Sequence, residues 1–205
     1  MRVYFCSRIQ NNTSANKKLI VMKKAFILLL MAIAYLATFI LGAASGAIHP
    51  ACYAYAGAVL PLLTALIYLY TTTLLRGFGA ATLLNGFILV LFLIAGEADL
   101  AFVIGIVVIT ALAEFIRWSC GYGTQKGVRW SFLPLAYSFF AYTAHWWTDT
   151  EGSLEAAREE MPAGYDLLMQ PVIDNIPVLV IVLVLTFPVA ILAMRLAERL
   201  LKKRL

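Results

Sequence analysis

The sequence predicts an all-α, polytopic membrane bundle of six transmembrane helices, with N- and C-termini on the cytoplasmic side. Three observations carry this prediction. Of 205 residues, 62% are apolar and 13% charged, whereas a soluble domain is about 45–50% apolar and about 25% charged. A soluble fold of this size would lack the polar residues to coat itself. Charge-free runs recur at lengths that suit a hydrocarbon core about 30 Å thick, which takes about 20 helical residues to cross. The few charges sort by sign between alternate connections.

The elements follow in order. Residues 1–23 read as a cytoplasmic N-terminal tail, and 24–205 as the six-helix domain. Met1 to Asn16 is polar and unpatterned, and is an upstream extension if translation begins at Met22. Asn11-Asn12-Thr13 matches a glycosylation pattern but falls on the cytoplasmic side. Ala25 to Leu75 carries no charge and is long enough for two spans, with the break expected between Gly42 and Pro50. There glycines loosen the helix, and Pro50 restricts His49 and suits a helix start. The run from Ala25 to Ile48 exceeds a signal-peptide core of about 7–15 residues, so an uncleaved first helix is expected. Gly77 to Gly96 forms the third span. Leu100 to Arg117 forms the fourth, with Glu114 and Arg117 at its end, where long side chains snorkel. Trp130 to Thr148 forms the fifth, and Asn175 to Met194 the sixth, running into a basic tail.

Orientation follows from charge. With the N-terminus inside, the inner segments hold fifteen of the sixteen basic residues, all but Arg158. Glu97, Asp99, Asp149, Glu151, Glu155, Glu159, Glu160, Asp166 and Asp174 fall outside; Glu114 and Glu198 fall inside. This is the positive-inside pattern. The net charge of +5 therefore reports topology and a face near anionic membrane lipid, not nucleic-acid binding.

Catalytic chemistry finds little material. Cys6, Cys52 and Cys120 are far apart, and the two histidines are His49 and His145. HExxH, GxSxG and P-loop patterns are absent. No catalytic residue, metal site or cofactor is expected in this chain.

Two features point to packing and binding instead. Small residues four apart on the first helix, Ala34, Thr38, Gly42 and Gly46, form a flat ridge for close helix approach. It serves packing within this bundle or docking onto another membrane subunit. Residues 149–174 form the longest external connection. A short helix over Ser153 to Glu160, broken at Met161-Pro162, together with apolar Leu154, Ala157, Leu167, Leu168 and Met169, predicts a lid. Just before it, Tyr142, His145, Trp146 and Asp149 recur at i, i+3, i+4 and i+7 and share a helix face. Aromatic surface with polar tips suits a small planar ligand. Glu97 and Asn175 are expected to converge on the same mouth. Asn85 lies mid-span, where an unpaired amide is costly; it bonds a neighbouring helix or faces a cavity. Glu114 and Arg117, three apart, are expected to form an ion pair. Pro61, Pro134 and Pro188 are expected to kink their spans.

The stretch Cys120-Gly121-Tyr122, Trp130, Tyr137, the acidic lid, Pro171, Leu183-Val184-Leu185-Thr186-Phe187 and the tail Leu200-Leu201-Lys202-Lys203-Arg204 resembles the Trep_Strep or MptD-type membrane proteins. The likeness covers most of the chain from Lys24 onward. It implies an S component of an energy-coupling factor (ECF) transporter, a multi-pass protein of the prokaryotic cell membrane. Such a subunit captures a vitamin-like molecule outside and works with a transmembrane coupling (T) subunit and two ABC-type ATPases, which use the ATP. The resemblance implies docking through small residues of the first helix, here Ala34, Thr38 and Gly42, with threonine where the family often has alanine. The rival readings are an autonomous secondary transporter and a small membrane enzyme using His49 or His145 as base.

Overall fold

The computed structural model describes residues 2–202, with side chains from 19 to 201. The side chains of Arg2, Arg8, Lys17, Lys18 and Lys202, the Asn11-Asn12-Thr13 motif, and Lys203 and Arg204 of the basic tail lie outside that side-chain description. The described residues form eleven α-helices, two short 3-10 turns and no strand.

Helix α1 (Arg2–Ala44) begins earlier than expected. The backbone of the expected tail is continuous with it, because residues 2–18 contain no glycine or proline to stop propagation. The break falls where the glycines and Pro50 place it, as a 3-10 turn over Ser45–Ala47. His49 then caps α2 (Pro50–Tyr55), its Nδ1 accepting from the Ala51 N–H at 3.1 Å. A second turn leads to α3 (Pro61–Leu74), Pro61 occupying the first turn. The Pro50–Ala58 and Pro61–Leu74 segments are bent by 40°.

Gly79 and Gly96, at φ 109° and 79°, bound α4 (Ala80–Ala95). Both occupy the left-handed region that a side chain disfavours. Asp99 caps α5 (Leu100–Ser119), its Oδ1 accepting from Phe102 N–H at 2.6 Å. Thr124 caps α6 (Gln125–Leu135) in the same way.

The fifth expected span, Trp130 to Thr148, is not one helix. It is split into the end of α6, α7 (Ser138–Thr143) and α8 (His145–Thr148). Pro134 has no N–H for the ladder, and the chain turns at Tyr137 and again at Ala144. The lid holds two helices, α9 (Thr150–Glu160) and α10 (Tyr165–Asp174), joined at Met161-Pro162. Pro188 sits inside α11 (Ile176–Lys202), a continuous helix.

Among the described residues, Leu19–Ala47, Leu100–Ser119 and Ile176–Leu201 are long and apolar enough to cross a membrane. The bent Pro50–Leu74 pair makes a fourth if counted as one span. Ala80–Ala95 is apolar but shorter. Outward side chains such as Ile94 (78% exposed) and Val184 (65%) are apolar, a surface that suits lipid rather than water.

Connections gather at two ends. One end joins Arg76, Tyr122, Gln125 and Glu198 around a common depression. There Arg129 forks onto Glu198, linking α6 to α11. The other joins the turn at Ala44–Pro50, the Gly96–Asp99 loop and the lid.

The core between is aromatic. Phe39 packs edge-on against Tyr35, Phe92 and Phe139, and Tyr142 meets Phe92, Phe102 and Phe139. Asn85 is 1% exposed and bonds two neighbouring helices. Its Oδ1 accepts from Tyr35 of α1 at 2.9 Å, and its Nδ2 donates to Thr110 of α5 at 3.0 Å. The amide is satisfied, as an intramembrane polar group must be.

Within the bundle the α1 ridge is partly covered by its neighbours. Thr38 is 4% exposed, Ala34 is half-buried and Gly42 is buried. A methyl group at Gly42 would lie 2.5 Å from the Phe139 ring. Gly42→Ala is expected to destabilise the protein by about 1–3 kcal/mol through overpacking, measured by denaturant unfolding in micelles. At Gly77, where nothing lies within reach of an added methyl, alanine serves as control.

Glu114 and Arg117 do not form the expected ion pair. Glu114 Oε1 accepts from the N–H groups of Gly79, Ala81 and Thr82 at 3.1, 2.9 and 3.2 Å, at the start of α4. Arg117 Nη2 donates to the carbonyls of Thr72 and Leu75, at the end of α3. Each charge meets the helix end of opposite partial charge. Together they clamp the α3–α4 turn, and the Arg117 guanidinium lies 5.6 Å from the Tyr122 ring centre.

Candidate ligand pocket at the lid end

Five of the six expected site residues line one pocket of about 410 Å³: Glu97, Tyr142, His145, Trp146 and Asp149. The turn at Ala144 leaves the i, i+3, i+4, i+7 face intact, since its backbone stays helical (φ −60°, ψ −28°). Asn175 is not brought there. It sits beside Gln170 and Asp174 in a shallow depression and caps α11, its Oδ1 accepting from Val178 N–H at 3.3 Å. Helix α10 runs on to Asp174 and leaves Asn175 at its C-terminal end, away from the pocket lining.

The floor is aromatic and buried. Trp146 is 2% exposed and Tyr53 6%. The Tyr53 and Trp146 rings meet edge-on at 6.1 Å, and His145 lies 4.7 Å from Trp146. His145 is held at both nitrogens. Nδ1 is 2.9 Å from Ser153 Oγ of α9, and Nε2 is 3.4 Å from Tyr53 Oη. Ser153 donates its own proton to the His145 carbonyl at 3.1 Å. The network closes when Nδ1–H donates to Ser153 and Nε2 accepts from Tyr53. The Trp146 indole N–H has no hydrogen-bond partner.

Tyr53 was not among the expected residues. Its position after the break at Pro50 gave it no periodic relation to Tyr142, and tertiary packing alone brings them 6.2 Å apart. Tyr53, Tyr142 and Met161 also line a second chamber of about 430 Å³ with Gly46, His49, Pro162 and Tyr165. Burial pushes the Tyr165 hydroxyl pKa up, and this hydroxyl too is unpartnered.

The lid is fastened at several points. Trp147 Nε1 donates to the Ile173 carbonyl at 3.2 Å, and Tyr55 Oη to the Val172 carbonyl at 3.2 Å. Arg158 Nε of α9 meets Asp166 Oδ2 of α10 at 2.8 Å. This hydrogen bond holds the Asp166 carboxyl below its ordinary value. A lowered carboxylate pKa supports structure above the unfolded value and loses that support as pH falls through the folded one. The α9–α10 link is therefore expected to be intact at neutral pH and to open only in acid. Arg158→Ala should return the Asp166 titration, followed by NMR, toward the ordinary aspartate value.

Among the described residues no group of three metal-ligating side chains is assembled. His49, the other histidine considered as a base, is exposed and occupied in capping α2. A family model described as "Hypothetical bacterial integral membrane protein (Trep_Strep)" matches residues 23–205. The chain belongs to this family. It is thus a membrane protein with transmembrane helices, of a bacterial family, and the matched region contains every residue of the pocket. No curated protein and no solved structure matches the chain.

Proposed function

We propose that this chain is the substrate-binding S component of an ECF-type uptake transporter of the MptD type, a multi-pass protein of the bacterial plasma membrane that captures a vitamin-like small molecule. The observation that carries this reading is the pocket of about 410 Å³ under the lid, lined from α2, α7, α8, α9 and the α4–α5 loop. Its size is that of a small-molecule site. Six traverses fit the alternation of connections between the two ends, with the lid outside and both termini inside. The T subunit and two ABC-type ATPases would supply the ATP-driven step, since this sequence has no P-loop.

Asn85 favours this reading over a secondary transporter. Such transporters place polar or ionisable groups at the membrane midplane to bind substrate and coupling ion. Here the one mid-span amide is spent on Tyr35 and Thr110. Capture by the S component requires two arrangements of differing ligand affinity, lid open and lid closed. Docking onto the T subunit would use the small-residue ridge of α1, of which Ala34 is half-buried while Thr38 and Gly42 also pack within the bundle.

The test is reconstitution. Proteoliposomes with this chain, the T subunit and both ATPases should take up ligand only with ATP. Gradient-driven uptake by this chain alone would contradict the proposal and support a secondary transporter.

A further inference from the structure

We propose that the ligand of this pocket is a small organic cation bearing a hydrogen-bond acceptor at its inner end. This rests on reading the pocket as the substrate site.

Four carboxylates line the pocket: Glu97, Asp99, Asp149 and Glu160; no lysine or arginine does. None of the four has an ion-pair partner among the described residues, where the pairs are Arg129–Glu198 and Arg158–Asp166. Arg158, the basic residue on this side, is committed to Asp166. Asp99 and Asp149 each spend one oxygen on a helix cap. Glu97 and Glu160 make no side-chain hydrogen bond among the described residues. Positive-inside sorting explains why acids lie on the outer side, but not why these four surround one cavity. On α9 itself, Glu151, Glu155 and Glu159 lie off the pocket while Glu160 lines it.

The floor supplies the second, independent observation. Trp146 is 2% exposed, lines the pocket, and its indole N–H is unpartnered. A buried donor left unmade is costly, and an acceptor on the ligand would satisfy it. Indole can only donate. Tyr53, Tyr142 and Trp146 line the same cavity, and aromatic rings attract an organic cation. An anion would meet four like charges with no counter-charge in reach.

A matched probe series tests this with the full-length chain in phosphatidylcholine nanodiscs, by isothermal titration calorimetry. The probes are the N-methylated pyridinium cation of nicotinamide, neutral nicotinamide and the nicotinate anion, which share a ring. The expected result is that the cation binds about tenfold more tightly than either. The double variant Glu97→Gln/Glu160→Gln, which touches no helix cap, should weaken the cation about tenfold and leave nicotinamide unchanged. Trp146→Phe should weaken the cation and nicotinamide alike. Nicotinate binding as tightly as the cation, no binding of the cation, or indifference to the double variant would each overturn the proposal. If nicotinate or nicotinamide binds best and is lost in Trp146→Ala, the pocket remains a ligand site and only its charge class is wrong. Cation binding without ATP-dependent uptake contradicts the transporter reading alone.

Discussion

Arg117→Leu is expected to destabilise the protein by about 3 kcal/mol, among the largest effects of any single substitution outside the pocket. Arg117 is 0% exposed, and its Nη2 serves two carbonyls at the end of α3. In a membrane no water replaces a lost partner for those carbonyls, and each unsatisfied buried acceptor costs about 1–3 kcal/mol. Arg117→Lys should recover little, because its ammonium is more strongly hydrated and ends one bond short of the Nη2 position that serves both carbonyls. Glu114→Leu should cost a similar amount, through three N–H groups at the start of α4. The two residues lie one turn apart on α5, so removing both leaves no lone buried charge. The double variant is expected to cost less than the sum by about 1 kcal/mol. Unfolding in mixed micelles measures all four variants. Strict additivity would show that the charges act separately and that the clamp is not a unit.

Trp146→Ala is expected to weaken ligand binding about a hundredfold. Large aromatic anchors in desolvated pockets dominate binding energy, commonly contributing about 2–4 kcal/mol when truncated. Trp146 combines a buried ring with an unused donor. Trp146→Phe keeps the ring and removes the donor, so it should cost about tenfold. His145→Ala should weaken binding through a different route. It frees Ser153 of α9 and Tyr53 of α2, two walls that the imidazole ties together. Fluorescence titration separates these effects from misfolding, because the remaining Trp118, Trp130 and Trp147 still report a folded chain. Unchanged affinity in Trp146→Ala and His145→Ala would remove both from the site.

The all-helical membrane class was legible because hydropathy acts locally along the chain. The break before Pro50 and the lid's α9 could be placed from glycine, proline and apolar spacing. The face holding Tyr142, His145, Trp146 and Asp149 was legible for the same reason: helical spacing survives a small turn at Ala144. The division of the fifth span was less so, since Pro134 announces a break but not how the chain resumes. Contacts between distant segments were not legible. Spacing suggested that Glu114 would pair with Arg117, whereas tertiary packing offers each a helix end, whose backbone groups carry no sequence signal. Tyr53 was missed because nothing along the chain connects it to Trp146. Asn175 was misplaced because α10 runs on to Asp174 and sets Asn175 beside Gln170 and Asp174 as the cap of α11.

Capture of a small molecule by the pocket between the aromatic floor and the lid decides the proposed function. Its most direct measurement is an equilibrium binding screen of the full-length chain in nanodiscs over vitamins and their precursors, read together with amide hydrogen exchange across residues 149–174. One compound is expected to bind at one per chain, with exchange slowed in α9 and α10 when it binds. Binding that leaves the lid's exchange unchanged, or no compound bound at all, would contradict that expectation.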